Sequence, residues 1–304
     1  MIRKELFEMT QEELIVYIEN ELKNRDVPYK KDKNGNIWSI RFNGKPAFVS
    51  HMDTVAGCDE EYRKKAFIVD NILFKVGAVL GGDDRAGINL IINHLEKINF
   101  ILTTDEEIGC VGASALSRNE EFKEDIENIC AFIEIDRKGN SDVIGALHGY
   151  CEKDFSDEIL KVLPTHTDVR GVLTDIDRFI HLKPGVNISA GYYNAHTEDE
   201  YLDIEYFNYL NSKIIELSNI TGDFELPKPR NQYVYTGRKN KSTYLTNSYL
   251  YGYSNINYVR CSECGMLVDD IECTIIDGRI VCDSCASKLS SIQMAYEEIK
   301  KKKK

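Results

Sequence analysis

The sequence predicts an α/β domain with a mixed, mostly parallel sheet flanked by helices, followed by a small cysteine-rich module. Three short apolar segments alternate with helical patterns, and each segment ends in acidic or imidazole residues. This alternation is typical of α/β folds, in which functional side chains gather at the carboxyl edge of the sheet. Two Cys-x-x-Cys pairs near the end of the chain mark the second unit.

The first elements are a helix, a hairpin and a strand. Residues 10–13, Thr-Gln-Glu-Glu, have the spacing of a helix capping box, and apolar residues follow at helical intervals. Asn34 and Gly35 predict the turn of a hairpin. Residues 47–50 have the pattern of a strand, which places His51 at the carboxyl end of that strand.

The central elements alternate between helix and strand. A helical pattern begins at Ala86, and short buried strands are predicted for residues 100–104 and 131–135. These two strands are followed at once by Asp105 and Asp136. The later pattern predicts a short helix, a strand and a long amphipathic helix at residues 157–163, 186–189 and 204–219.

Composition divides the 304 residues into four parts. Residues 1–221 are long enough, and apolar enough, for a full domain core. Residues 222–257 are polar and rich in tyrosine, asparagine and serine, which is typical of a linker. Residues 258–288 contain the cysteine pairs, and residues 289–304 have a helical pattern that ends in a run of lysines.

Charge and cysteine usage limit the setting of the protein. The formal net charge is −12 and the isoelectric point is about 5.1, which disfavours binding of polyanions by the main domain. No apolar run approaches the roughly 18 residues of a membrane helix, and the charged N-terminus is unlike a signal peptide. Cysteines used in knuckles rather than disulfides fit a reducing compartment, so we expect a cytoplasmic protein with no membrane partner.

The two cysteine pairs predict a structural zinc site. Cys261 and Cys264 form one knuckle, and Cys282 and Cys285 form the other, with the seventeen residues at positions 265–281 between them. Thiolates at this spacing are typical of the tetrahedral zinc of zinc ribbons. A zinc-knuckle module of about thirty residues cannot build a sufficient apolar core, so the metal would supply much of its folding free energy. The sequence leaves open whether the module contacts protein or nucleic acid.

Residues of metal-ligand type recur at five stations along the first two hundred positions. Imidazole and carboxylate together suit zinc or a similar divalent ion, and a shared carboxylate lets two ions lie close enough to act on one water. The pattern therefore predicts an enzyme, a two-metal hydrolase. The stations are His51-Met52-Asp53, Asp83 within residues 81–87, Glu106-Glu107 within residues 105–109, Glu134-Ile135-Asp136, and Asn194-Ala195-His196.

These stations resemble the dinuclear zinc exopeptidases, a clan that includes tripeptide aminopeptidases, glutamate carboxypeptidases and single-domain leucyl-type aminopeptidases. The resemblance covers about residues 30–219, and all five stations occur in the order of the family. It implies hydrolysis of peptide bonds in a site that holds two zinc ions or other divalent ions. It also implies a ligand set: His51 and Asp136 for one ion, Glu107 and His196 for the other, and Asp83 as the bridge.

The resemblance assigns further roles to side chains that do not bind metal. Asp53 would hydrogen-bond the second ring nitrogen of His51 and so orient it. Glu106 would act as the general base, taking a proton from the reacting water and passing it to the leaving amine. Tyr192 and Tyr193 are the candidates for binding substrate and stabilising the oxyanion.

The chain departs from the two-domain members of this clan between its last two stations. In those members a lid domain that helps bind the substrate carboxylate is inserted there. Here only the 59 residues at positions 137–195 separate Asp136 from His196, so the chain looks like a pared-down catalytic domain without the lid. This weakens any carry-over of carboxypeptidase specificity. Within the fourth station, Asp136 is preferred to Glu134 as the ligand because it lies nearer the strand end.

The leading hypothesis is a metal-dependent peptidase, an aminopeptidase acting on short peptides. Acidic residues around the metals would favour a positively charged α-amine, with Asp105 available to pair with it. Two alternatives stay open: an amidohydrolase or deacylase acting on a small acyl-amino substrate, and a catalytically degenerate binding or adaptor protein. All ligand positions and the base are filled, which disfavours degeneracy.

Overall fold

The computed structural model describes residues 1–55, 65–172 and 174–226, and farther along residues 258–260, 267–269, 273–276, 279–282 and 286. Most of the predicted linker, cysteine module and lysine tail lies outside these residues. The same holds for three of the four knuckle cysteines, Cys261, Cys264 and Cys285, while Cys282 is described as part of a strand. The predicted structural zinc site therefore stays a prediction.

The strands are short, and most of those before residue 226 contain buried residues. In chain order they are β1 (Lys30–Lys31), β2 (Ile37–Ser39), β3 (Ala47–His51), β4 (Ala66–Val69), β5 (Ile72–Lys75), β6 (Asn99–Thr103), β7 (Phe132–Arg137), β8 (Asp142–Ile144), β9 (Thr167–Asp168), β10 (Gly185–Ser189), β11 (Tyr192–Tyr193), β12 (Tyr201–Asp203), β13 (Tyr258–Arg260), β14 (Leu267–Asp269), β15 (Cys273–Ile276) and β16 (Arg279–Cys282).

An eight-stranded sheet forms the centre, in the order β1-β2-β6-β3-β7-β10-β8-β9. Strands β6, β3, β7 and β10 run parallel, whereas β2 and β8 pair antiparallel with the two ends of this group. The predicted mixed, mostly parallel sheet is therefore confirmed. Every residue of β3 and β6 is buried, as expected for parallel strands with both faces covered. The carboxyl ends of the four parallel strands meet at one edge.

Helices cover the sheet on both faces. They are α1 (Gln11–Asn24), α2 (Gly82–His94), α3 (Val111–Leu116), α4 (Glu120–Ile126), α5 (Lys153–Val162) and α6 (Ile204–Ser218), with short 3-10 helices at Lys4–Glu8 and Asp175–Arg178. The predicted capping box of α1 is confirmed, because Thr10 and Glu13 each accept the backbone N–H of the other. Within the described residues, every helix is too short or too polar to cross a bilayer.

Two core clusters lie on opposite faces of the sheet. The larger contains Phe48 of β3 together with apolar residues of α1, α2 and α6. The smaller contains Val49 of the same strand, packed with Phe122 of α4 and with Phe179, which follows the second 3-10 helix. Adjacent residues of β3 thus point to opposite clusters, as strand alternation requires. The sheet is fixed between the two layers, and so is its carboxyl edge.

The sequence analysis did not predict the second sheet of the fold. A second, antiparallel sheet has the order β11-β12-β5-β4, and it pairs residues near position 200 with residues near position 73. A tight turn at Asp70 and Asn71, both with positive φ, joins β4 to β5. The carbonyl of Asn71 then accepts the first backbone N–H of α6, at 2.8 Å. This small sheet brings the His196 segment next to the start of α2.

His166 is expected to make stability depend on pH. Its side chain is buried beside Tyr206 of α6, with Nε2 at 2.6 Å from the phenol oxygen, and burial lowers the pKa of His166 to about 4. The unfolded chain, with a histidine pKa near 6.5, binds more protons between these two values. Stability from this group is therefore complete above about pH 6.5 and lost as pH falls towards 4.

As the pH falls from about 7.5 to about 5, protonation of this histidine in the unfolded chain should lower the free energy of unfolding by roughly 2 kcal/mol. Urea unfolding of the wild type and of His166→Gln at both pH values measures the effect. The variant keeps a polar partner for Tyr206 but cannot take up the proton, so its loss on acidification should be smaller. An equal loss in both proteins would contradict the assignment.

Candidate metal centre and its clefts

His51 and Asp53 join two loops at the carboxyl edge of the sheet. His51 ends β3 and is 2% exposed, and its Nδ1 lies 3.2 Å from Oδ1 of Asp53. The Asp53 carboxylate also accepts the backbone N–H groups of Glu106 and Glu107, at 2.9 and 3.0 Å. Asp53 therefore fixes the imidazole ring and, at the same time, the loop that follows β6.

Asp83 lies between two imidazoles. Its Oδ1 is 3.0 Å from Nε2 of His51, and its Oδ2 is 3.2 Å from Nε2 of His196. Burial alone would raise the pKa of Asp83, but hydrogen bonds from the two histidines hold this pKa well below its usual range. Asp83 and Asp84 at the start of α2 have non-helical backbone angles and are joined by a cis peptide bond. The two oxygens of one carboxylate thus face two different histidines.

Asp136 and Glu107 complete the two groups. Oδ1 of Asp136 lies 3.7 Å from Nε2 of His51, and Oε1 of Glu107 lies 3.0 Å from Nε2 of His196. His51, Asp83 and Asp136 can therefore present ligand atoms within 4.8 Å of one another, and so can Asp83, Glu107 and His196. The structure brings together all five residues that the sequence predicted as ligands.

The charges in these groups fit divalent cations. Hydrogen bonds to Asp83 and Glu107 raise the pKa of His196 to about 10. Burial would lower the pKa of His51, but the surrounding carboxylates outweigh it and raise that pKa well above its usual value. Both imidazoles are thus in surroundings that favour positive charge. Imidazole and carboxylate are the ligands zinc takes in catalytic sites, and a shared carboxylate suits a pair of ions.

Glu106 lies beside these groups. Its backbone N–H donates to Asp53 Oδ1 at 2.9 Å, and its side chain is partly buried. Burial raises the pKa of Glu106, and the nearby carboxylates of Asp83 and Glu107 act in the same direction. Because a general base works best with a pKa near the working pH, this shift suits the predicted role.

Glu134 and Asp136 are separated clearly by the structure, although both are buried. Glu134 accepts hydrogen bonds from the Thr174 hydroxyl and, at 3.1 Å, from the backbone N–H of Ile176. Asp136 instead faces His51. The position nearer the strand end is therefore the one that reaches the candidate metal centre.

The two tyrosines predicted to bind substrate lie in different surroundings. The Tyr192 hydroxyl donates to Oδ1 of Asp136 at 3.1 Å, so this side chain holds a candidate ligand in position. Tyr193 is 1% exposed, and its ring stacks on Tyr201 with 4.8 Å between the centroids. Tyr192 lines the cleft beside the centre, while Tyr193 is packed away from it.

Glu200 is a functional candidate that the sequence analysis missed. It is 1% exposed, and its two oxygens accept the backbone N–H groups of Gly81, at 2.7 Å, and Asp83, at 3.1 Å. Burial raises the pKa of Glu200 to about 8. Gly82 leaves room for this approach, since a Cβ there would lie 3.1 Å from Oε1 of Glu200 and 2.8 Å from Cβ of Tyr192. The only signal in the sequence is the acidic run after His196, which is indistinguishable from solvated surface charge.

Two clefts flank the metal centre, and Glu107 lines both. The first, the Lys138 cleft, has a volume of about 330 Å³ and contains Glu106, Asp136, Lys138 and His196 in its wall. The second, which we name the Asp105 cleft, has a volume of about 390 Å³ and is lined by Glu12, Asp53, Val55, Asp105 and Ile108 among others. A larger depression of about 570 Å³ beside Arg178 and His181 shares no lining residue with either cleft.

Comparisons with known proteins identify the fold. No protein-family model matches the chain. No curated protein matches its sequence. By structure, the chain is similar to the aminopeptidase PepT of Bacillus cereus, with TM-score 0.56, 15% identity, and coverage of 71% of this chain and 95% of that one. It is equally similar to a tripeptidase of Staphylococcus aureus, with TM-score 0.57, 15% identity and coverage of 71% and 95%. A TET1 peptidase of Pyrococcus horikoshii gives TM-score 0.51, 15% identity and coverage of 68% and 94%. The fold is shared with these peptidases.

Removing Glu200 should destabilise the protein. Glu200→Ala leaves two buried backbone N–H groups without their acceptors, which we expect to cost at least about 2 kcal/mol of unfolding free energy. Glu198→Ala, an exposed neighbour of the same type, should change it by less than about 0.5 kcal/mol. Urea unfolding of both variants checks this, and equal effects would show that Glu200 has no structural role at Gly81 and Asp83.

Proposed function

We propose that this protein is a metallopeptidase that activates water with two divalent ions, zinc in the first instance, and acts as an aminopeptidase on short peptides. The observation that carries the proposal is the Asp83 carboxylate, whose two oxygens face His51 and His196. Such a shared carboxylate is what a two-ion site requires. The fold shared with aminopeptidases and a tripeptidase supports the same reaction class.

Each ion would be held by one of the two groups of side chains described above. His51 and Asp136 would hold one ion, Glu107 and His196 the other, and Asp83 both. When bound, such a pair supplies Lewis acidity that polarises the scissile carbonyl and lowers the pKa of water. The surrounding side chains orient the ligands.

Glu106 is the group proposed to move the proton. It lines the Lys138 cleft and lies next in sequence to a candidate ligand, and it belongs to neither of the two groups that share Asp83. It forms a separate group with Cys110 and Asp175. Its raised pKa lets it take a proton from the attacking water and then deliver it to the leaving amine. Asp53 keeps the Glu106 backbone in place while orienting the His51 ring.

The Asp105 cleft supports cleavage from the N-terminus. Glu12, Asp53, Asp105 and Glu107 outnumber the buried Arg85 in its wall, which is therefore acidic. Gln11 Nε2 donates to Asp105 Oδ1 at 2.9 Å, which fixes that carboxylate. Ile108 in the same wall is 73% exposed and offers an apolar surface for a side chain. A substrate α-amine would pair with this acidic wall, whereas a carboxylate would be repelled.

The remaining parts of the chain keep their predicted roles in this proposal. Residues 1–221 would form the catalytic domain, residues 222–257 a linker, and residues 258–288 a module that would hold one structural zinc through Cys261, Cys264, Cys282 and Cys285. Residues 289–304 would form a helical, lysine-rich tail. The proposed setting is the cytoplasm, and the three described cysteines outside the module, Cys110, Cys130 and Cys151, are buried free thiols.

Metal content and turnover should separate the roles of two adjacent glutamates. The reconstituted full chain should hold three divalent ions, two at the catalytic centre and one at the cysteines. Glu106→Gln should keep all three but lower kcat by about 10²–10⁴-fold, because only the base is lost. Glu107→Gln should lose an ion. The double variant Cys261→Ser, Cys264→Ser should lose one ion without loss of turnover. Elemental analysis and a peptide-amide assay measure these outcomes, and equal metal loss in both glutamate variants would reverse the assignment.

Blocking the substrate amine should weaken catalysis. Acetylation of the amine removes the charge that the Asp105 cleft would bind, so kcat/KM should fall by an amount worth about 1–3 kcal/mol. Matched free-amine and N-acetylated peptides of one sequence provide the comparison. If both are cleaved at the same rate, the aminopeptidase proposal fails and the acyl-amino amidohydrolase alternative takes its place.

A further inference from the structure

Lys138 carries a positive charge beside the candidate metal centre, and the proposed reaction does not use this charge. Arg137 and Lys138 directly follow Asp136, and both line the Lys138 cleft. Arg137 is committed to Asp142, whose Oδ2 accepts from Nε at 2.9 Å and lies 2.8 Å from Nη2. Lys138 is partly exposed, and its ammonium group has no ion-pair partner within the part of the chain that the structure describes. Its charge is therefore available to a ligand.

The backbone that carries Lys138 is held firmly against the centre. The carbonyl of Lys138 accepts from the Ser189 hydroxyl at 3.3 Å. The N–H of Gly139 donates to the carbonyl of Tyr192 at 2.8 Å, and the N–H of Gly191 donates to the carbonyl of Gly139 at 3.0 Å. Tyr192 itself holds Asp136. The attachment point of the lysine is thus fixed relative to a candidate ligand, and only its flexible side chain has to adapt.

The two clefts differ in charge. The Asp105 cleft has an acidic wall formed by Glu12, Asp53 and Asp105, and the Arg85 side chain that also lines it is 1% exposed and donates to the backbone carbonyls of Met52 and Met9. The Lys138 cleft instead adds the ammonium group of Lys138 to the groups of the centre. Glu107 lines both, so the centre lies where they meet. A short peptide with free ends carries a positive charge at one end and a negative charge at the other. Charge complementarity therefore favours one orientation of the peptide, with its amine in the Asp105 cleft and its carboxylate in the Lys138 cleft.

We propose that Lys138 binds the C-terminal carboxylate of the substrate, and that the enzyme therefore prefers short peptides in which both ends are free. This rests on the proposed peptidase function and names the substrate class of that site. The clefts, of about 390 and 330 Å³, lie at the small end of the range of roughly 300–1,000 Å³ for small-ligand sites, which suits a short peptide. The proposed carboxylate partner lies directly after β7, next to the candidate ligand Asp136.

A matched pair of peptides tests the proposal. One tripeptide is assayed as the free acid and as the C-terminal amide, with the metal-loaded full chain. The wild type should favour the acid by about 10- to 100-fold in kcat/KM, as expected for one charge-assisted hydrogen bond. Lys138→Gln should abolish this preference by lowering the rate on the acid alone, and Lys138→Arg should retain most of it. Lys153→Gln, at a lysine that is 79% exposed on α5, is the matched control and should change neither rate.

Binding measured without turnover gives an independent readout. In the Glu106→Gln background, calorimetry should show that the free acid binds more tightly than the amide, and that adding Lys138→Gln removes the difference. Equal affinity and equal rates for acid and amide in the wild type would overturn the role of Lys138 while leaving the peptidase proposal intact. An equal fall in kcat/KM on the acid and the amide in Lys138→Gln would also overturn this role. Hydrolysis of neither peptide would overturn the peptidase function and this inference with it.

Discussion

The concentration of buried carboxyl groups at one edge of the sheet is the constraint on which the rest of the structure depends. Burial raises the pKa values of Asp84, Glu134 and Asp136, and it raises those of Asp175 and Glu200 to about 7 and about 8. Negative charges this close are costly in a protein interior unless protons, hydrogen bonds or cations compensate them. The centre thus favours binding of positive charge, and the proposed pair of divalent ions would supply it.

Backbone N–H groups supply much of this compensation. Asp53 accepts two of them from the loop after β6, and Glu200 accepts two from the start of α2. Asp84 accepts the N–H of Gly87, a position where a Cβ would lie 2.5 Å from the carbonyl of Ile135. Asp53 thus ties the loop after β6 to the end of β3, and Glu200 ties the loop before β12 to the start of α2. Removing such a side chain would disturb the fold and the centre together, because the same hydrogen bonds maintain both.

The sequence predicted those elements whose signals are local. The capping box at Thr10, the turn at Gly35 and the long amphipathic helix α6 are all present, and the parallel strands follow the apolar segments. Helix α5 begins at Lys153, four positions before the predicted start, and its first turn contributes the buried Phe155 to the core. The second sheet was missed because its strands have two to four residues and because its central pair, β12 with β5, joins segments more than a hundred positions apart.

For the candidate site, the sequence by itself determined which chemical groups stand at the ends of which strands. Those groups are close to apolar segments whose secondary structure follows from local periodicity. Only the tertiary structure decided that the two oxygens of Asp83 face different histidines, that Asp136 rather than Glu134 reaches His51, and that Tyr192 holds a candidate ligand. It alone placed Glu200 beneath Asp83 and Lys138 beside the centre. These relations join residues far apart in the chain, so they depend on strand order and on packing between layers, which no local pattern encodes.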